Sequence, residues 1–257
     1  MNRAALPAIV LALVPASAGT SATSRPLALT AAPARLALRG SESATVRIRN
    51  PGTKRIAIDV ALAGFALDLR GRPHIAGRGS ARSAARWLRV RPRHVNLAPQ
   101  ATAHLRVSAS VPRRAEPGDH DALVLLSSRP LAGARVLARL RLGVVVVVRA
   151  PGTVVRRLEL GRARVARRRR ERTLEVAVVN AGNVTERLLR VRAVVSSLPT
   201  RRHLATIAAV AAEVRPHTRG LLEFRLRIRA HRSVTTRVVL PAELGRPAVR
   251  RSYRLRL

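Results

Sequence analysis

Asp119-His120-Asp121 is the only dense cluster of acidic and histidine residues in the sequence. Carboxylate oxygens and an imidazole nitrogen are ligands that hard or borderline metal ions accept. Successive side chains of an extended chain point to opposite faces, however, so three neighbours cannot all converge on one ion. Pro117-Gly118 directly before the cluster marks a turn that opens a strand. We therefore expect His120 to be a corner residue whose ring packs or hydrogen-bonds back onto the turn.

Other residues that could support catalysis lack the spacing that catalysis needs. The remaining histidines are never paired at i, i+4 beside a glutamate, the arrangement that places two imidazoles on one helical face in zinc proteases. Gly77-Arg78-Gly79-Ser80 lacks the following Gly-Lys-Ser/Thr of a phosphate-binding loop, and no Gly-x-Ser-x-Gly elbow offers a serine nucleophile. The sequence therefore predicts no catalytic, cofactor-binding or metal-binding residue, no cofactor, and a protein that is not an enzyme. The histidines expected on the surface are His74, His94, His104, His203, His217 and His231.

Two features suggest contact with sugars, and each has a structural alternative. Trp87 is the only tryptophan and is predicted to lie in a half-buried strand. A core anchor is favoured over a carbohydrate platform, because sugar stacking usually uses several exposed aromatic residues. Asn183-Val184-Thr185 matches a glycosylation sequon, but Asn180 to Asn183 first indicates a turn. The binding residues therefore stay unassigned.

Arginine is the most unusual feature of the composition. The 257 residues include 50 Lys+Arg against 13 Asp+Glu, for a net charge of +37, and Lys54 is the only lysine. One interpretation is a solvated surface in a chain shaped by GC-rich coding bias. The other is generic attraction to a polyanion, namely a phosphate-rich wall polymer, an anionic lipid or nucleic acid. Guanidinium groups suit such ligands, because they bind phosphate and carboxylate through paired hydrogen bonds.

Nucleic acid is the weakest of these partners. Proteins that bind single strands stack the bases on aromatic side chains. Only Phe65, Trp87, Phe224 and Tyr253 are available, and they are dispersed along the chain. No predicted helix presents a basic face to a groove of a duplex. The sequence therefore disfavours a nucleic-acid partner.

The arginines belong to a pattern of short β-strands. Apolar residues alternate with arginine, as in Val46-Arg47-Ile48-Arg49, so that one face of each strand is buried and the other is in solvent. Turn signals such as Asn50-Pro51-Gly52 and Asn180-Ala181-Gly182-Asn183 separate the runs. Short strands punctuated in this way are typical of antiparallel sandwiches. The other alternating runs are Ile56–Val60, Leu88–Val90, Leu105–Val107, Val136–Leu142, Leu174–Val176, Leu189–Arg192, Phe224–Ile228 and Tyr253–Leu257.

Two segments depart from this pattern. Leu204 to Val214 is rich in alanine but contains β-branched residues, so that both a helix and a strand stay open. Arg167 to Arg170 is too charged for a buried strand and is expected to form the tip of a hairpin. The prediction for the whole chain is an all-β fold of two tandem immunoglobulin-like antiparallel β-sandwiches after a signal peptide.

The signal peptide is predicted to occupy residues 1–22. Arg3 gives a positive start, Ala4 to Val14 is free of polar residues, and Ala16-Ser17-Ala18 offers small residues to a signal peptidase. This apolar segment is too short to cross a bilayer, which needs about 20 residues, and no membrane span is predicted later in the chain. The protein is thus expected to be secreted or held at the cell surface.

A domain boundary is predicted near Ala150-Pro151-Gly152, after the all-valine run that would close the first sheet. The first domain would occupy residues 23–150 and the second residues 151–257, each near the size of an immunoglobulin-like sandwich, about 100 residues. The chain contains no cysteine. Each domain must therefore be stabilised by its core without disulfide bonds.

Several motifs of the first domain occur in an order that suggests a family. They are the segment from Pro33 to Gly52, Ser83-Ala84-Ala85-Arg86 before Trp87-Leu88-Arg89-Val90, Val111-Pro112, and Pro117-Gly118-Asp119-His120-Asp121-Ala122. This order resembles the WxL-interacting (peptidoglycan-binding) protein family, whose first domain is similar to the N-terminal sandwich of pilus chaperones. The resemblance implies a pilus-chaperone-like sandwich for residues 23–150. Because the motifs are mostly turn and core positions, they indicate a fold better than a function.

The sequence departs from this family at two points. Family members usually continue into a C-terminal membrane span with a basic tail, whereas this sequence stops at Leu257 after a predicted strand. Pilus chaperones grip the C-terminal carboxylate of a subunit with a basic pair, and Lys54, in a predicted turn, cannot be assigned that role. No binding residue is carried over from either family.

The sequence therefore predicts an exported, non-enzymatic binding or structural protein of the cell surface. Its expected partner is cell-wall polymer, peptidoglycan-like in chemistry, or another surface protein. The alternative is an exported chaperone or assembly factor for surface proteins that acts by strand-edge pairing.

Overall fold

Alternating apolar and arginine residues form short strands throughout the computed structural model. The structure describes residues 28–76, 82–129, 139–168, 171–198, 200–228, 233–242 and 247–257. The predicted signal peptide at residues 1–22, the loop Gly77 to Ser80 and His231 lie outside these residues. The described part of the chain contains no apolar helix of membrane-spanning length.

The first half of the chain forms one sandwich. Its strands are β1 Thr30–Ala32, β2 Arg35–Arg39, β3 Ser43–Arg49, β4 Ile56–Leu67, β5 Pro73–Ala76, β6 Leu88–Arg91, β7 His94–Leu97, β8 Thr102–Ala109, β9 Gly118–Ser128 and β10 Arg141–Ala150, with a 3-10 turn at Ala84–Arg86. One sheet has the order β1-β3-β8-β6, and the other has the order β2-β10-β9-β4-β5, with β7 also paired to β4. The alternation predicts which side chains are inside: Val46 and Ile48 are fully buried, and Arg47 and Arg49 are exposed.

One pairing in this sandwich differs from the antiparallel prediction. β2 runs parallel to β10, with Arg35 opposite Val145 and Arg39 opposite Arg149. The reason is a change of sheet. β1 pairs with β3 in one sheet, and the chain then crosses at Pro33 so that β2 joins the edge of the other. The other strand pairs of the described residues are antiparallel, as predicted for the sandwich.

The second half of the chain forms another set of sheets. Its strands are β11 Leu158–Arg168, β12 Glu171–Asn180, β13 Glu186–Leu188, β14 Arg192–Ser197, β15 His203–Ala208, β16 Ala212–Val214, β17 Arg219–Leu226, β18 Ser233–Leu240 and β19 Val249–Arg256. The sheet orders are β11-β12-β17, β13-β16 and β15-β14-β18-β19. Its buried core, which includes Leu174, Leu222 and Phe224, shares no residue with that of the first half. The fold prediction of two all-β sandwiches is confirmed, whereas the domain limits 23–150 and 151–257 stay a prediction.

Three local predictions are decided here. Leu204 to Val214 forms strands, since β15 and β16 cover most of it. Arg167 and Arg168 lie at the end of β11, which forms a hairpin with β12 through the pair Arg168 and Glu171, and residues 169–170 lie outside the described part. The prediction of a strand at Leu189–Arg192 was wrong for Leu189 to Val191, because only Arg192 belongs to a strand, β14. There the chain passes from β13, paired to β16, to β14, paired to β18. The backbone hydrogen bond found there among the described residues, from the Ala209 N–H to the Val191 carbonyl at 2.9 Å, does not extend into a ladder.

The same buried asparagine corner occurs in both sandwiches. The Asn50 amide nitrogen donates to the Lys54 carbonyl at 2.8 Å, and the Gly52 backbone N–H donates to Asn50 Oδ1 at 3.0 Å. In the second sandwich Asn180 has the same partners at the same spacing, the carbonyl four residues later at 2.8 Å and the Gly182 N–H at 2.9 Å. Both asparagines are fully buried. The predicted turns at Asn-x-Gly are thus fixed by a side chain rather than by the backbone alone.

Candidate functional site

His120 fulfils the structural prediction made for it. Its Nε2 lies 2.8 Å from the Glu116 carbonyl oxygen, in the turn before β9, and its ring centroid lies 4.3 Å from that of Trp87. Burial lowers the pKa of His120 below its ordinary value. Its neighbours Asp119 and Asp121 project from the opposite face of β9. The described residues contain no group of three His, Asp or Glu side chains able to hold a metal ion.

Asp119 instead joins the first sandwich to the second. Its carboxylate accepts two hydrogen bonds from Arg149, at 2.7 and 3.1 Å, and one from the Thr185 backbone N–H at 2.8 Å. The Asp119 N–H donates to the Asn183 carbonyl at 2.8 Å. Gly118 permits this approach, because it has a φ of 110° and a Cβ there would collide with the Asn183 backbone.

Asp121 makes the most buried contact between the two sandwiches. Its carboxylate pairs with the Arg215 guanidinium, and the two residues are 1% and 8% exposed. Arg215 Nη1 also donates to the Phe65 carbonyl at 2.5 Å, and the guanidinium carbon lies 4.7 Å from the centroid of the Phe65 ring. Burial raises the pKa of the Asp121 carboxyl, and Arg215 opposes that rise.

Two further arginines of the first sandwich reach carboxylates of the second. Arg70 pairs with Glu175 at 2.8 Å and with Glu223 at 3.0 Å, and Arg35 pairs with Glu213 at 2.7 Å. We refer to these pairs, together with Asp121–Arg215 and Asp119–Thr185, as the inter-sandwich clamp. The partners are 66 to 178 residues apart in the chain. The sequence singled out Asp119 and Asp121 but not this role for them.

Glu175 makes the clamp sensitive to acid. Burial acts to raise its pKa, but hydrogen bonds from Arg164 and Arg70 outweigh burial and hold the pKa below its ordinary value of 4.5. A lowered folded-state pKa contributes stability that is present above about pH 4.5 and is lost as the pH falls through the lowered value. We expect the free energy of urea unfolding to fall between pH 5 and pH 2 by less in Glu175→Gln than in the unmodified protein. Equal pH slopes in the two proteins would contradict this account.

A free strand edge lies on the first sandwich beside the clamp. β10 pairs with β9 over its whole length, but with β2 only from Val145 to Arg149. No described strand pairs with Arg141–Val144 on the side opposite β9, and we call this segment the β10 edge. The Val145 N–H donates to the Ala34 carbonyl of the β2 side at 3.1 Å, and the Ser128 N–H of β9 donates to the Leu140 carbonyl at 2.9 Å. Backbone N–H and C=O groups of successive residues in a strand point to alternate sides. Those of Leu140 point toward β9 and those of Val145 toward β2, so the groups of Arg141 and Gly143 point to the free side.

An apolar surface adjoins the β10 edge. On the outer face of the sheet, one row across β4, β9 and β10 consists of Ala61, Leu125 and Gly143, and the next of Ala63, Leu123 and Val145. Ala61 and Gly143 are exposed and Leu125 and Val145 half-buried. We call these six residues the apolar outer face. In a chain of net charge +37, an uncharged surface next to an unpaired edge is suited to an extended apolar segment.

The remaining candidates of the sequence have structural positions. Trp87 packs against the first core at half burial, and it ends the 3-10 turn just before β6 rather than lying within a strand. The Asn183 side chain is engaged in a turn, donating to the Thr153 carbonyl at 2.8 Å and accepting from the Val155 N–H at 2.8 Å. The predicted surface histidines within the described residues are all exposed: His74, His94, His104, His203 and His217.

Most strand arginines face solvent as predicted. Of the clamp arginines, Arg35 lies on β2 and is half-buried, whereas Arg70 and Arg215 lie in loops between strands. The β10 edge was not predicted, because strand neighbours are set by tertiary pairing. The one sequence signal for it is Gly143, which stands directly before the run Val144–Val148.

No protein-family model matches the sequence, and no curated protein matches it. Solved structures do match the fold. The class 5 fimbriae chaperone CfaA is 12% identical, with a TM-score of 0.52, over 88% of this chain and 98% of that one. A chain of a chaperone–tip adhesin complex of CFA/I fimbriae matches with the same identity, coverage and TM-score. These matches give no support to the WxL-interacting family or to cell-wall polymer as a partner. At this identity the likeness concerns the fold alone, and that fold is the chaperone-like immunoglobulin sandwich.

Proposed function

We propose that this protein is an exported, non-enzymatic assembly factor that holds a strand of a surface-protein subunit along the β10 edge. The observation that carries the proposal is the unpaired segment Arg141–Val144 at the side of the apolar outer face. An added strand gains affinity from main-chain hydrogen bonds and specificity from its alternate side chains. This is the alternative that the sequence left open, and it takes the place of wall-polymer binding.

The backbone of the β10 edge supplies the hydrogen-bonding groups. Arg141 and Gly143 each direct an N–H and a C=O toward the free side. Gly143 is exposed and has no side chain to obstruct an incoming strand. On the inner side of the same segment, Leu142 and Val144 pack against the first core, which holds the edge in an extended conformation.

The clamp supplies the second element, a fixed angle between the sandwiches. Buried ion pairs at Asp121–Arg215 and Arg70–Glu175 connect them. A subunit seated on the β10 edge and the apolar outer face would therefore also meet the second sandwich at a set distance. The structural likeness to a fimbrial chaperone agrees with this arrangement. The predicted signal peptide supports export, which places the protein where surface subunits are assembled.

The strand-edge proposal predicts that Gly143→Lys abolishes complex formation. A lysine on an edge strand disfavours pairing with another strand, and the exposed position should leave the fold intact. We expect the yield of subunit complex to fall at least about tenfold, as measured by affinity isolation of tagged full-length protein from the exported fraction of its own cells. Thr45→Lys is the matched control, since Thr45 is exposed on β3 in the other sheet.

A single introduced cysteine can locate the contact between the β10 edge and the subunit. The chain has no cysteine, so Gly143→Cys and Thr45→Cys each introduce a single attachment site for a photo-cross-linker. The Gly143→Cys protein should cross-link to an exported all-β subunit, and the Thr45→Cys protein should not. Cross-linking of both proteins to the same subunit, or isolation of an unchanged complex with Gly143→Lys, would contradict the proposal.

A further inference from the structure

The outer face of the sheet β15-β14-β18-β19 is strongly cationic. Arg192, Arg237, Arg250, Arg254 and Arg256 are all exposed there. The four strands contain no aspartate or glutamate. The described carboxylates of the second sandwich lie instead on other strands, where Glu175, Glu213 and Glu223 belong to the clamp. This sheet is therefore cationic without internal neutralisation.

A groove on this face brings guanidinium and hydroxyl groups together. Its volume is about 660 Å³, and its lining includes Arg201, Arg237, Arg254, Ser196, Thr235 and Ser252. Strand register explains the arrangement. Ser196, Thr235 and Arg254 form one row across β14, β18 and β19, and Arg237 and Ser252 form the adjacent row. Arg201 enters from the loop between β14 and β15, in a left-handed conformation with φ of 52°.

The three arginines of the groove are available to a ligand. The ion pairs found among the described residues use other arginines, in the clamp and elsewhere. Arg237 and Arg254 stand on neighbouring strands one row apart, so that their guanidiniums can approach one anion from two directions. Thr235 stands opposite Arg254 and Ser252 opposite Arg237 in the same two rows, and their hydroxyls can donate to the same oxygens.

We propose that this groove binds a phosphate group on a hydroxylated carrier. Guanidinium forks match phosphate oxygens, and hydrogen bonds to an ionised acceptor are the strongest that a surface offers. The serine and threonine hydroxyls suit the hydroxyl groups of a sugar or polyol carrier. The site is separate from the β10 edge, which lies on the first sandwich.

Aromatic stacking does not contribute to this site. Tyr253 also lines the groove, but its hydroxyl donates to the Gly161 carbonyl at 2.9 Å and the Arg251 guanidinium lies 5.6 Å from its ring centroid. The ring is thus engaged within the protein. Bases of a single-stranded nucleic acid would find no free platform here, and the ligand is recognised through its phosphate.

The test is calorimetric titration of the full mature chain with inorganic pyrophosphate in 0.15 M NaCl. We expect saturable binding at one site, weakened at least about tenfold by Arg237→Gln or Arg254→Gln, because each substitution removes a charge-assisted contact. Arg47→Gln is the control, since it removes the same charge from an exposed strand of the first sandwich and should change the affinity less than twofold. Gly143→Lys should leave pyrophosphate binding unchanged, so that this proposal and the strand-edge proposal can fail separately.

Vesicles distinguish the source of the phosphate. Binding to phosphatidylglycerol vesicles that is stronger than to phosphatidylcholine vesicles, and that is lost in Arg237→Gln, would place the phosphate on a lipid headgroup. Pyrophosphate binding without vesicle binding would place it on a soluble carrier. The proposal is overturned if neither probe binds saturably at this salt concentration, or if Arg47→Gln weakens binding as much as Arg237→Gln, since the attraction would then be general charge.

Discussion

Replacing Arg215 by alanine is expected to destabilise the protein by about 3–5 kcal/mol, because it leaves the Asp121 carboxylate buried without its charge partner. Asp121 is 1% exposed, and its Oδ1 already has no hydrogen-bond partner among the described residues. Among the described residues, the hydrogen bond from Arg215 is the one found for this carboxylate, so its loss leaves both oxygens without a donor. Arg215→Ala also removes the hydrogen bond to the Phe65 carbonyl across the two sandwiches. The measurement is the free energy of urea unfolding at pH 7.

Two further variants test whether the loss of stability is specific to the buried ion pair of the clamp. Arg47→Ala removes an exposed arginine and should change the stability by no more than about 0.5 kcal/mol. Combining Arg215→Met with Asp121→Leu replaces the buried pair by apolar side chains and should recover most of the loss, as buried pairs often tolerate. A loss under about 1 kcal/mol for Arg215→Ala would show that Arg215 does not hold the sandwiches together.

Strand positions could be predicted from the sequence because they depend on local patterning. In β3 and β17 an apolar residue every second position decides which side chains are buried, whatever the neighbouring strand is. Leu189–Arg192 shows the limit of this argument. Burial does alternate in this segment, with Val191 buried and Leu189 exposed. A strand, however, also needs a continuous backbone ladder to a neighbouring strand, and the path of the whole chain decides which strands are neighbours.

The candidate site could not be predicted for the same reason. Asp121 meets Arg215 across 94 residues of sequence, and Arg35 meets Glu213 across 178. Asp119 and Asp121 stood out only because acidic residues are rare in this chain, and their type suggested a metal before their partners were known. The β10 edge is even harder to predict from the sequence, because it exists only where β2 stops pairing with β10.

The buried corner at Asn50 gives the second large effect, because its amide nitrogen approaches three backbone carbonyls. Nδ2 lies 2.8 Å from the Lys54 oxygen, 3.0 Å from that of Ala98 and 3.2 Å from that of Leu97. Asn50→Asp preserves the shape but replaces this donor by an oxygen. Buried carbonyls without a donor cost about 1–3 kcal/mol each, so we expect a loss of about 3–5 kcal/mol at pH 7.

The pH dependence of that loss tests its cause. Burial among carbonyl oxygens should raise the pKa of the introduced carboxyl above its unfolded value of about 3.9. The contribution of this carboxyl to the free energy of unfolding is then most favourable below about pH 4, where the protonated group can donate one hydrogen bond. That contribution is lost as the pH rises through the raised pKa.

Asn96→Asp is the matched control, because Asn96 is exposed on β7 and the variant corrects for adding one negative charge to a strongly basic chain. Urea unfolding of both variants from pH 3 to pH 7 should show a deficit that grows with pH only for Asn50→Asp. Parallel curves would mean that the corner is maintained by its backbone turn and not by the asparagine amide.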